Sequence, residues 1–195
     1  MSTVIHRFLR STRAYVALCM PCCALSLSVS SNSQAQTIGP SPPDHTTTIA
    51  VGAGTTTTVL GSTNVVLPSA NATNVASGGT LVFDNTAGPS PGSITVTVQS
   101  GAGIGLNTTG GTIRSNGQLS VNTIAGHAVL ANGAGSNIVL NGNTNIATSG
   151  TGGALIGLSG GLIDATNVTV RNTGASAGFG VVAESGSTIR LRGVT

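Results

Sequence analysis

From Ser93 to Thr195, short apolar runs separated by polar and glycine residues return about every 25 residues. Three marks keep this period over four cycles. The first is Val96, Val121, Ile146 and Val170. The second is Leu106, Leu130, Ile156 and Val182, and the third is Ile113, Ile138, Ile163 and Ile189. Every step between successive marks is 24 to 26 residues. The runs are rich in Ile, Val, Leu and Thr and close on Gly, Asn or Ser. Several alternate strictly, among them Ser93-Ile94-Thr95-Val96-Thr97-Val98, Asn167-Val168-Thr169-Val170 and Ile189-Arg190-Leu191-Arg192. Successive strand side chains point to opposite faces, so Ile189 and Leu191 are expected to face inward and Arg190 and Arg192 to face solvent. The corners Gly101-Ala102-Gly103, Gly133-Ala134-Gly135 and Gly150-Thr151-Gly152-Gly153 suit bends that need positive φ. No useful stretch has helical periodicity.

Three short strands per cycle cannot bury their inner face alone. Stacked coils can, because each strand pairs with its counterpart one coil away at about 4.8 Å and the inward side chains form continuous columns. A propeller blade needs about 40–45 residues, and the Leu/Asn frame of a leucine-rich repeat is missing. The expected fold class is all-β, a right-handed parallel β-helix with a β-sandwich as the alternative. Four segments follow. Residues 1–35 read as a signal peptide, 36–48 as a disordered extended start with Pro40, Pro42 and Pro43, 49–92 as irregular N-terminal capping coils, and 93–195 as regular coils. Strand candidates in the capping coils are Ile49–Val51, Thr57–Leu60, Asn64–Leu67 and Gly79–Phe83, followed by a surface loop from Asn85 to Gly92. A fifth copy of the first mark falls near Thr195 with no cap beyond it, so a fragment or a truncated frame is expected.

Charge and composition narrow the function classes. Charged residues are 6% of the chain, against about 25% in an ordinary soluble domain, so Ser, Thr, Asn and Gly must fill the outer positions. The net charge of +3 comes from Arg7, Arg10 and Arg13, because Arg114, Arg171, Arg190 and Arg192 balance Asp44, Asp84, Asp164 and Glu184. A nucleic-acid partner is therefore not expected of the coils. The basic start, the apolar run Ala14 to Val29 and the small residues Ser33 and Ala35 make a leader cut between Ala35 and Gln36. That apolar run is shorter than the roughly 20 residues a membrane anchor needs. Cys19, Cys22 and Cys23 all lie in the leader, so the mature chain is expected to lack disulfides, Cys-ligated metals and a Cys nucleophile. A cysteine-free body is consistent with staying unfolded in an oxidising periplasm before a second transport step.

No catalytic, cofactor or metal site emerges. Gly-Asp-Ser-Gly is absent, and without lysine there is no Walker A loop. His45 sits in the extended start, and His127 reads as a solvent-facing or hydrogen-bonded coil residue. In register, Asp164 follows the third mark and Glu184 the second, which puts them on different walls and away from the paired carboxylates of a glycosidase. Asn71-Ala72-Thr73, Asn107-Thr108-Thr109 and Asn167-Val168-Thr169 match the glycosylation tripeptide, as chance provides in a chain this rich in Asn and Thr.

The blocks Gly126-His127-Ala128-Val129-Leu130-Ala131-Asn132-Gly133, Gly152 to Gly161 and Gly178 to Ile189 carry a resemblance. With the leader and the cysteine-free body, residues 36–195 resemble the N-terminal part of an autotransporter passenger of the pertactin-like or adhesin type. The resemblance implies a β-helix displayed on a Gram-negative cell surface, without enzymatic activity. The implied partners are the export machinery and host-cell or matrix surface molecules. Such proteins reach the outer membrane through a C-terminal barrel that these residues do not contain, so the chain by itself would reach the periplasm. The adhesin tripeptide Arg-Gly-Asp is also missing, Arg192-Gly193-Val194 only beginning it. The alternatives are the N-terminal part of a polysaccharide-degrading β-helix enzyme and a non-functional remnant.

Overall fold

The structure, a computed structural model, describes residues 35–40, 43–86, 92–174 and 178–195. The signal-peptide expectation falls outside them except for its last residue, Ala35. The described residues belong to one compact unit, Ser33–Thr195.

An opening strand β1 (Ala35–Ile38) precedes six coils. Coil 1 holds β2 (Ile49–Val51), β3 (Thr56–Leu60) and β4 (Asn64–Leu67), and coil 2 holds β5 (Thr73–Val75), β6 (Thr80–Asp84) and β7 (Ile94–Val98). Coil 3 holds β8 (Leu106–Thr109), β9 (Thr112–Ser115) and β10 (Leu119–Thr123). In coil 4, β11 (Val129–Asn132) leads into the long β12 (Asn137–Thr148); in coil 5, β13 (Leu155–Leu158) leads into β14 (Leu162–Asn172). Coil 6 holds β15 (Val181–Ala183) and β16 (Thr188–Arg192). All pairing between strands is parallel and runs from one coil to the next, giving three walls. Wall 1 is β1-β3-β6-β9-β12-β14-β16, wall 2 is β4-β7-β10 with the second halves of β12 and β14, and wall 3 is β2-β5-β8-β11-β13-β15. The fold is a parallel β-solenoid.

Two of the three sequence marks are columns of this solenoid. Val96, Val121, Ile146 and Val170 pair in turn on wall 2, and Val65 extends the column below them. Ile113, Ile138, Ile163 and Ile189 pair on wall 1 above Leu81. The second mark needs correction by one residue at its start. Leu106 faces Val129, not Leu130, and the inward column of wall 3 runs Leu106, Val129, Leu155 and Val181. Leu130, Ile156 and Val182 align with each other but sit above Asn107, on the outward-pointing rung. Two adjacent apolar residues in each run fit the period equally well, and only the pairing separates them. Each fully buried Ile, Leu or Val of these columns contributes about 1.5–3 kcal/mol of transfer free energy.

The segments before residue 93 also differ from expectation. The start at 36–48, expected to be disordered, opens inside β1, which pairs residue for residue with Thr56–Val59 of β3, and its residues 41 and 42 lie outside the described residues. Beyond it, His45 exchanges backbone hydrogen bonds with Asn64 and Val66 beside wall 2. The strands of coils 1 and 2 share the register of all the others, and the irregularity is one of length. Their period is hidden by an insertion between β6 and β7. Thr56 faces Thr80, 24 residues on, but Thr80 faces Thr112, 32 residues on. Asn85 holds the base of this insertion, its buried side-chain amide donating to the carbonyls of Gly92 (2.7 Å) and Gln118. Residues 87–91 of the loop lie outside the described residues. In coil 6 the inward columns surface, Val181 at 43% and Leu191 at 36% exposure, and Thr195 bonds to Val168 and Val170 on wall 2.

Glycine fixes the corners in two different ways. Between walls 3 and 1, Gly54, Gly78, Gly110, Gly135, Gly160 and Gly186 occupy one position in all six coils, each with positive φ. There the turns Leu158–Gly161 and Glu184–Ser187 have positive φ at both central residues, the type I′ pattern. Between walls 2 and 3 the constraint is space. Gly103, Gly126 and Gly152 stack, and a Cβ on Gly126 or Gly152 would drive into the carbonyl oxygen of the glycine one coil below. Gly150, Gly152 and Gly153, expected to need positive φ, are not in that region. Close approach is what requires glycine there.

The inner face is not wholly apolar. Thr73, Thr108, Thr123 and Thr148 are buried and bond to corner or strand carbonyls, Thr123 Oγ1 donating to Gly126 O at 2.9 Å. Thr144 differs. It lies between Leu119 and Val168 in an inward column of wall 2, and its buried hydroxyl has no hydrogen-bond partner. Thr144→Val keeps the shape and removes the desolvated hydroxyl, so it is expected to stabilise the solenoid by about 1 kcal/mol in urea unfolding. Gly126→Ala is expected to cost about 1–3 kcal/mol from the forced backbone shift. Gly180→Ala, where a Cβ meets nothing within 4 Å, stays within about 0.5 kcal/mol of wild type in the same titration.

Candidate functional site

The acidic residues are spread over the outside of the coils. Asp164 lies on β14 in wall 1, opposite Arg190, and accepts a hydrogen bond from Arg192 Nη1 at 2.7 Å. With the Arg192 side chain 61% exposed, this pair adds at most about 1 kcal/mol. Glu184 follows β15 on wall 3, as the register indicated. Asp84 accepts from the backbone N–H and hydroxyl of Thr86 and so shapes the entry to the insertion. Asp44 accepts from Asn64 Nδ2 at 3.3 Å. None of these carboxylates faces another across a cleft. Among the described residues, no three His, Cys, Asp or Glu side chains gather as a metal-binding set.

His127 is tied into the stack. It precedes β11 at the corner between walls 2 and 3, where its carbonyl accepts from Gly105 N (3.1 Å). Its Nδ1 accepts from Gly153 N (2.9 Å), so the residue links coils 3, 4 and 5. Desolvation by burial lowers its pKa below the ordinary 6.5, and an Nδ1 that accepts from an amide is unprotonated. The ring is a structural staple, in line with its expected role as a hydrogen-bonded coil residue. His45 anchors the opening segment through its backbone, and its ring lies 3.2 Å from Thr47 Oγ1.

The three glycosylation-like asparagines have structural roles. Asn71 donates to Asn74 Oδ1 (2.9 Å) and accepts from Ile104 N (2.9 Å). Asn107 also donates to Asn74 Oδ1, at 2.9 Å, so the amides form a short ladder up the outside of wall 3. Asn167 turns the corner between walls 1 and 2 with φ 56°, a position held by Gly142 and Gly193 in the adjacent coils. A shallow groove of about 420 Å³ runs beside the ladder, floored by Ala50, Gly52 and Ala76 and edged by Asn74, Asn107 and Thr109. Asn74 was not legible as a ladder member, because the insertion stretches its distance from Asn107 to 33 residues. Higher on the same wall the outward rung becomes apolar with Leu130, Ile156 and Val182, and Phe179 nearby is 62% exposed.

The chain matches no protein-family model, no curated protein and no solved structure. Its architecture is therefore defined by its own geometry, an all-β parallel solenoid with coils about 25 residues apart.

The His127 environment fixes the sign of a pH effect. The folded pKa lies below the unfolded value of 6.5, so between the two the unfolded chain binds more protons. Stability is then fully present above about pH 6.5 and declines as pH falls toward the folded value. In urea unfolding at pH 7.5 and pH 5, wild type is expected to lose more stability on acidification than His127→Gln, which cannot titrate there.

Proposed function

We propose that the chain is the N-terminal part of an autotransporter passenger. Residues 1–35 direct export and are cut from Gln36 onward, and a right-handed solenoid then serves as a non-catalytic adhesive scaffold on a Gram-negative surface. Its partners are host-cell or matrix molecules, and a translocating outer-membrane barrel carries it across. The observation that supports this most is the pairing of a continuous coil stack with an outward column of Thr, Asn and Ser on wall 2. That column reads Asn64, Thr95, Ser120, Asn145 and Thr169, and the outward column beside it, Val66, Thr97, Asn122, Ala147 and Arg171, is mixed. A long uncharged polar surface on a stiff scaffold suits multivalent low-affinity contact better than one deep site. The chain beyond Cys23 contains no thiol, so an oxidising compartment cannot cross-link it before translocation.

The test is surface exposure in the native cell. An antibody raised against the coils is expected to label intact cells, and external protease is expected to remove the label. Purified 36–195 is expected to bind host cells or immobilised matrix saturably. Labelling that appears only after the outer membrane is permeabilised would count against surface display.

A further inference from the structure

The bond between Ala35 and Gln36 lies inside β1. Ala35 pairs with Thr56, Gln36 with Thr57, Thr37 with Thr58 and Ile38 with Val59. The far end of the strand is pinned, because Ile38 packs against the hydrophobic core and Thr63 Oγ1 donates to Gly39 O at 2.8 Å. These four residues thus carry two demands at once, as the setting of the bond to be cut and as the first rung of wall 1.

We propose that leader removal and closure of the first coil exclude one another in time. The leader is cut only while residues 35–38 are unpaired from β3, and a chain that closes its first coil beforehand keeps its leader. This rests on reading residues 1–35 as an export leader.

The physical reason is access. Hydrolysis adds water across the Ala35 carbonyl carbon and the Gln36 nitrogen, leaving a carboxylate on Ala35 and an ammonium on Gln36. A peptidase must bring its nucleophile to within about 3–3.5 Å of that carbon, with oxyanion donors about 3 Å from the developing charge. Groups on the enzyme must therefore surround the peptide. In β1 one edge of the peptide is occupied by β3, about 4.8 Å away. Cutting then depends on local opening of the strand. The trimmed product loses little, since Gln36, Thr37 and Ile38 keep their partners Thr57, Thr58 and Val59. Early cutting is therefore compatible with the same capped solenoid.

The experiment uses the full 1–195 chain and a purified signal peptidase, with products identified by mass. One sample is diluted from denaturant directly into the enzyme, and the other is folded first. The chain added unfolded is expected to be cut between Ala35 and Gln36, and the folded chain at least about tenfold more slowly. Ile38→Asp unpins β1 and is expected to bring the folded chain close to the unfolded rate, with the unfolded rates of both chains equal. Thr63→Val deletes the hydroxyl's bonds to Gly39 O and to Leu60 O and keeps the side-chain shape; it is expected to give an intermediate rate, which covers the case in which Ile38→Asp fails to fold. Equal cutting of folded and unfolded wild type overturns the proposal. If the unfolded chain is not cut at this bond either, the leader assignment itself falls and the proposal falls with it.

Discussion

The distance between neighbouring parallel strands, about 4.8 Å, sets everything else in this molecule. Every wall strand must donate and accept along its full length to the coil above and the coil below, and the three walls must climb by the same step. Side chains that point inward are thereby stacked on their own counterparts, which is why Ile113, Ile138 and Ile163 form one buried column. The corners have to rise by that step as well. Where their backbones meet, as at Gly103, Gly126 and Gly152, no side chain fits. Where the chain must reverse its curvature, as at the six glycines from Gly54 to Gly186, only positive φ closes the bend.

The architecture was readable from sequence because a solenoid writes its spatial period directly into residue spacing. Val96, Val121, Ile146 and Val170 are neighbours in space for the same reason that they are evenly spaced in the chain. Three things escaped. A shift of one residue at Leu106 was invisible, since apolar residues fall on both faces of the runs at Val129-Leu130 and Leu155-Ile156. Coils 1 and 2 were obscured by the insertion after Asp84, which lengthens one cycle without disturbing the pairing on either side. The strand β1 was masked by its setting, a short run beside Pro40 that alone has no β signature and acquires one only from β3. The glycine column was available in the spacing from Gly110 to Gly186, where its steps match those of the apolar marks, while the 32-residue step from Gly78 to Gly110 carries the insertion.

The candidate site was less legible than the fold. Sequence placed Asp164 and Glu184 on different walls and described His127 as a bonded coil residue, and the structure agrees on both. Both follow from register alone. The Asn71–Asn74–Asn107 ladder depends on how amides from different coils meet across the insertion, which no local pattern encodes. Polar side chains on this surface largely satisfy one another and the backbone. That leaves a scaffold whose outer faces are repetitive and almost uncharged.

Asn85 gives the corner after β6 a further property. By clamping Gly92 and Gln118 it closes the base of the loop, and β7 resumes on β4 as though nothing had been inserted. Length added at that corner is invisible to the core. A lineage is thus free to lengthen or diversify the chain at this point, while selection on the interior stays unchanged.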